Sequence, residues 1–114
     1  MNETDAPPTR WFHLVAYFFG AVFFANAFPH FLQGVSGSPF QSPFAHPPGE
    51  GLSSSVANVA WGLFNLGAAY MLLGRVGRFH HRTTSHILVF AVGFAAMALQ
   101  LGWYFGRFHG GTTP

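Results

Sequence analysis

Three stretches of this chain contain no Asp, Glu, Lys or Arg: residues 11–39, 56–74 and 86–106. Each has a core close to the ~20 residues that cross a ~30 Å hydrocarbon layer as a helix. Charged residues make up 7% of the chain, against about 25% in soluble domains. A soluble fold would have to explain three uncharged segments of spanning length. The chain therefore reads as all-α, an integral membrane three-helix bundle in a single domain of 114 residues. The spans are predicted at about 11–32, 56–74 and 86–106, with an ordered Pro/Ser/Phe-rich loop between the first two.

Composition removes several chemistries. There is no Cys, which excludes disulfides, thiolate metal sites and Cys nucleophiles. There is no Lys either, so Schiff-base chemistry is excluded. The five basic residues are all Arg. They flank spans and form no groove, so they report membrane orientation and not nucleic-acid binding. Residues 1–10 are acidic and Pro-bearing, unlike a basic leader before a cleavage site, and the first span is expected to be retained.

Span one follows Pro7 and Pro8, with Trp11 where an interfacial aromatic belongs. Pro29 removes the donor for the Ala25 carbonyl and either kinks or ends the helix, which is expected to reach about Leu32. The following loop repeats Ser38-Pro39-Phe40-Gln41 as Ser42-Pro43-Phe44-Ala45. Leaving Phe40 and Phe44 in water is costly, and the prolines reduce the entropy lost on ordering. These residues favour a cap folded on the helix ends over a mobile connector. Ser53, Ser54 and Ser55 offer a cap to span two, and Thr84 or Ser85 to span three. Trp103 and Tyr104 close span three as an aromatic anchor. The second connection carries Arg75, Arg78 and Arg82, while the longer first loop has no Lys or Arg. Positive-inside bias puts the N-terminus and the second connection in the cytoplasm, with Arg107 a minor violation. This implies a multi-pass protein of the cell inner (cytoplasmic) membrane.

The notable polar residues inside the spans are His13, Asn26, His30, Asn58, Asn65 and Gln100, with Gln33 continuing the Asn26–His30 stripe. From helix rise, Asn26 lies ~8 Å outward of the midplane, Asn58 ~10 Å and Gln100 ~6 Å. Asn26, Asn58 and Gln100 are thus predicted to share one outer layer. Asn58, Gly62, Asn65 and Ala69 share one face of span two. Gly93, Ala96 and Gln100 share one face of span three. Ala98, Gly102 and Gly106 form a second ridge, able to pack on span one or on another chain. The amide layer reads either as interhelical glue or as a polar pocket for a ligand head group. Amides do not transfer protons near neutral pH. His30 is the one candidate, and its place near the interface reads as a water-facing histidine.

Seven His invite a metal reading, yet Glu3, Asp5 and Glu50 are the only carboxylates, and none is in a span. A di-iron carboxylate site is excluded, and no Glu-x-x-His or His-x-x-x-His pattern occurs. No interior His pair matches bis-His haem. His80 and His81 read as a solvated pair pointing two ways. No catalytic residue, cofactor or metal is assigned.

The run Asn26-Ala27-Phe28-Pro29-His30-Phe31, then Gly34, Gly37 and the Ser-Pro-Phe loop, then Asn58-Val59-Ala60-Trp61-Gly62-Leu63-Phe64-Asn65-Leu66, resembles a family of small uncharacterised bacterial integral membrane proteins. The resemblance covers about residues 26–73. It implies a bacterial membrane setting and no activity, cofactor or partner.

The first functional reading is a non-enzymatic membrane subunit, packing against itself or a larger complex. The second is a small-ligand or lipid binder or transport component using Asn26, His30, Asn58 and Gln100. A membrane enzyme lacks a nucleophile–base constellation in the spans.

Overall fold

A computed structural model describes residues 8–112. Pro7, Glu3 and Asp5 lie outside the described residues. Helix α1 spans Trp11–Val35, α2 Ser55–Tyr70 and α3 Thr84–His109. Helix α2 runs directly into a π-helical segment, Met71–Val76. Taken as Trp11–Val35, Ser55–Val76 and Thr84–His109, the three helices are long and apolar enough to cross a membrane.

Each helix end has a chemical cause. At the start of α1 the Arg10 backbone N–H donates to His13 Nδ1 at 3.1 Å, satisfying an amide beside the first turn. Ser54 caps α2, its Oγ accepting from the Ala57 amide at 3.1 Å. The predicted caps of α3 are displaced: Thr83 holds that position, and its side chain makes no capping bond. Gly110 ends α3 at φ 77°, the left-handed turn that glycine enters without a Cβ penalty. Pro29 lies within α1, which continues to Val35 and so exceeds the predicted end at Leu32.

Helix α1 is the central element, packed on α2 along one side and on α3 along another. Glycines permit both approaches. A Cβ on Gly34 would lie 2.6 Å from the Ser55 carbonyl oxygen and 2.7 Å from the Val59 amide nitrogen. On Gly62 it would lie 2.9 Å from the Phe31 nitrogen. On Gly93 it would lie 2.6 Å from the Phe18 oxygen. The predicted face of α2 is the buried one, comprising Asn58, Gly62, Asn65 and Ala69. On α3 only Gly93 of its predicted face is buried, since Ala96 and Gln100 are exposed. The second ridge does not pack on α1: Ala98 is exposed and Gly102 meets nothing within 4 Å. Gly106 instead packs against the chain's own Gly111.

The first loop folds back as a small antiparallel hairpin. Strand β1 (Phe40–Gln41) pairs with β2 (Leu52–Ser53), Phe40 opposite Ser53. Phe40 is buried, lying 4.6 Å from the Phe105 ring and stacked on His109 at 5.2 Å. Phe44 is 53% exposed and meets Trp61 edge-on. The two phenylalanines therefore differ in weight. Phe40→Ser should destabilise the protein in detergent by about 2 kcal/mol, the scale of one buried aromatic, and Phe44→Ser by less than half of that. Thermal melts and limited proteolysis of the 42–51 segment would check this. Equal effects would contradict it.

The opposite end is tied by aromatic packing. Tyr17 is buried against Phe79 and His86. The His80 backbone N–H donates to His86 Nδ1 at 3.0 Å, leaving Nε2 to meet the Thr9 hydroxyl at 2.9 Å. His80 and His81 do not diverge as predicted; their rings stack at 5.5 Å. On α3, the Arg107 guanidinium lies over the Trp103, Tyr104 and Phe108 rings, an arrangement that favours the cation.

Candidate functional site: a polar chamber beneath the hairpin

At the hairpin end a cavity of about 210 Å³ is lined by residues of all three helices and of the hairpin. Asn26 and His30 of α1 line it, as does Trp61 of α2. From α3 come Gln100, Tyr104 and Phe105. The hairpin adds Gln41 and Ser42.

Two polar pairs join α1 to α2 beside the cavity. Asn26 Nδ2 donates to Asn65 Oδ1 at 3.0 Å. Asn65 Nδ2 in turn donates to the Trp61 carbonyl at 2.7 Å, which leaves Oδ1 as the acceptor. The second pair is His30 Nδ1 with Asn58 Oδ1 at 2.8 Å. Asn58 Nδ2 faces three carbonyls, those of Phe40, Ser53 and Ser54, at 3.1–3.2 Å. Those acceptors fix which end of the amide carries hydrogens, so His30 Nδ1 must be the donor. In the uncharged imidazole, Nε2 is then a lone-pair acceptor. Among the described residues no protein group bonds it. Asn58 thus ties α1, α2 and both hairpin strands through a single side chain.

The hairpin is also strapped to α3. The Tyr104 hydroxyl donates to the Gly49 carbonyl at 2.8 Å, and His109 Nε2 lies 2.8 Å from Gln41 Oε1. The Ser42 and Ser53 hydroxyls bond to each other beneath the turn. Gly49 takes φ 77°, and a Cβ there would collide with the Tyr104 hydroxyl at 2.7 Å. Among the described residues, one buried side-chain polar atom has no partner: Trp61 Nε1, on the residue forming the α2 wall.

Compared with protein-family models, curated proteins and solved structures, the chain has no match. The resemblance over residues 26–73 therefore rests on its quoted residues alone.

The structure redistributes the predicted polar layer. Asn26 pairs with Asn65, not Asn58. The reason is the length of α1. Because the helix passes Pro29 and reaches Val35, its midpoint moves two residues, about 3 Å, toward Asn26. That leaves Asn26 about 5 Å outward, between the levels of Asn58 and Asn65, and puts His30 at about 11 Å, level with Asn58. Gln100 joins no amide pair, yet lines the same cavity as Asn26 and His30. Gln33 is exposed and stands apart from the cluster. His30 is not water-facing. It is 2% exposed, enclosed by Phe40, Trp61 and Phe105 at 5.6–6.3 Å. The hairpin roof was the missing element in the depth estimate.

Sequence reasoning missed Trp61, Tyr104, Gln41 and Ser42. Trp61 lies between Asn58 and Asn65 at +3 and −4, so helical spacing could have found it. Tyr104 follows Gln100 by four residues. The hairpin residues carried no comparable signal. Among the described residues no group of three His, Cys, Asp or Glu could hold a metal ion.

Proposed function

We propose that this is a non-enzymatic multi-pass protein of the bacterial inner membrane that binds a small amphiphilic ligand in the chamber beneath its hairpin. The observation that carries the reading is the chamber itself. Polar atoms of α1, α2 and α3 converge on a space of about 210 Å³ within otherwise apolar helices. Concave, largely apolar sites with a few placed polar groups are where small molecules bind. The polar pairs beside it also act as interhelical glue, worth about 0.6 kcal/mol per bond on average in membrane proteins.

Orientation follows the arginines. With Arg75, Arg78 and Arg82 in the cytoplasm, the N-terminus is inside and the chamber opens toward the outer face. The chain lacks Cys, so single-cysteine labelling is clean. A cysteine at Glu50, which is exposed, should react with an impermeant maleimide on intact cells. One at exposed His81 should react only after permeabilisation. The reverse pattern would invert the orientation.

Gln100→Trp tests the chamber. Gln100 is exposed and its side chain has no hydrogen bond among the described residues, so the change fills space without breaking the fold. Native mass measurement of mildly extracted protein should detect a retained molecule in the wild type and its loss in Gln100→Trp. Retention in neither, or equally in both, would overturn the reading.

A second reading is favoured by α3. Only 6% of its apolar window is buried, and Gly102 is open to close approach. Helix association in membranes uses such small residues. The same native measurement reports a homo-oligomer or larger complex as the alternative role, that of a packing subunit.

A further inference from the structure

We propose that His13, His80 and His86 form an acid-sensitive latch at the end of the bundle remote from the hairpin, closed only while all three rings are uncharged. The inference stands apart from the ligand-binding reading, because none of these residues lines the chamber.

Three backbone amides fix the state of the rings. The Arg10 N–H donates to His13 Nδ1 at 3.1 Å, the His80 N–H to His86 Nδ1 at 3.0 Å, and the Arg82 N–H to His80 Nδ1 at 3.3 Å. A backbone N–H can only donate, so each Nδ1 must present a lone pair. Each ring is therefore the neutral tautomer with its hydrogen on Nε2. At His86 the other nitrogen agrees, since Nε2–H then donates to the Thr9 hydroxyl at 2.9 Å. At His80 the Thr83 hydroxyl also lies 3.4 Å from Nδ1, a second donor to the same lone pair.

An imidazolium carries hydrogens on both nitrogens. Charging any of the three rings places Nδ1–H against a backbone N–H, and that bond is lost. The Thr9 contact survives, because Nε2 donates in either state. Two of the bonds run in series through His80, which accepts with its ring and donates with its backbone. A proton on His86 frees the His80 amide, and a proton on His80 frees the Arg82 amide. The connection between residues 77 and 83 then loosens at the start of α3.

The surroundings offer a charged ring no relief. His13 lies in the first turn of α1 and His86 in the first turn of α3, where the helix dipoles are positive. The other titratable and charged groups at this end are Arg10 before α1, Tyr17 on α1, Arg75 on the π-helical segment, and Arg78, His81 and Arg82 on the connection. Glu50, the one carboxylate among the described residues, lies in the hairpin loop at the other end. The three bonds therefore hold at high pH and are lost as the pH falls and the rings take up protons.

The test uses full-length, ¹⁵N-labelled protein in detergent at about pH 8 and about pH 4.5, either side of the ordinary imidazole range. At the higher pH the ring ¹⁵N spectrum should show His13, His80 and His86 as the Nε2–H tautomer, each assigned by its loss in the corresponding Asn variant. Hydrogen exchange should find the His80 and Arg82 amides at least tenfold less protected in acid, relative to their intrinsic rates, the scale of one hydrogen bond. The Asn65 amide, within α2, should keep its protection. His86→Asn puts a carbonyl oxygen about where Nδ1 stands and cannot take up a proton. It should hold the His80 amide protected at both pH values, while the Arg82 amide, which depends on the His80 ring, stays acid-sensitive. An Nδ1–H tautomer at any of the three rings at the higher pH would overturn the latch, and this wild-type measurement decides even where a variant does not fold. Protection unchanged by acid would overturn it too. A parallel loss at Asn65 would mean that the whole bundle unfolds in acid and that there is no local device. A His80 amide as acid-sensitive in His86→Asn as in the wild type would overturn the assignment to His86.

Discussion

Asn58→Leu should be the most damaging single polar substitution in this protein, costing about 4 kcal/mol of stability in detergent. Leucine fits the size and suits an apolar helix, so a hydropathy argument predicts a gain. The hydrogen bonds argue otherwise. Removing the amide strands His30 Nδ1–H and the Phe40 and Ser53 carbonyls, and buried orphans cost about 1–3 kcal/mol each. The Ser54 carbonyl keeps the Asn58 backbone N–H and is spared. The loss also undocks the hairpin, since Asn58 bonds both strands. Denaturant titration of the single and double variants would check it. His30→Leu alone strands only Asn58 Oδ1, so the double change should cost about 1 kcal/mol less than the two singles together. Additive effects would mean that the two side chains act independently.

That coupling was only half legible in the sequence. The face Asn58–Gly62–Asn65–Ala69 follows from helical spacing, because a buried stripe on a helix must recur every three or four residues. Which residue of α1 meets which of α2 is a register question. Register depends on the length of α1, and so on whether Pro29 terminates it. Local sequence left that open, since proline removes one hydrogen bond without forbidding continuation. The remaining misjudgement, His30 at a wet interface, has a different origin. Hydropathy and helix rise locate a residue along a span. They are blind to a roof supplied by residues 40–53, whose hairpin register and strap to Tyr104 are tertiary facts. Trp61 belongs to a third kind. Its position was visible, but an orphan N–H becomes meaningful only once every neighbouring donor and acceptor has been paired.

Glycine substitutions separate the two surfaces of the bundle. Gly34→Leu should cost more than about 3 kcal/mol, the upper range for overpacking. Its Cβ alone would sit 2.6 Å from the Ser55 oxygen and 2.7 Å from the Val59 nitrogen. Those are backbone atoms at the start of α2, so no rotamer change relieves the contact. The helices would have to part at the end where Asn58 joins α1, α2 and the hairpin. The expected signature is therefore joint: lower melting temperature, faster proteolysis across 42–51 and, on the proposed ligand-binding reading, loss of any molecule the wild type retains. Gly102→Leu is the control with the opposite geometry. Nothing lies within 4 Å of its Cβ position, so the folded monomer should be unaffected. Any change it produces would have to arise beyond the single chain. A native mass that falls in Gly102→Leu, with stability of the monomer unchanged, would identify the open face of α3 as a helix-packing surface. An unaltered mass would mean that Gly102 takes no part in helix packing between chains.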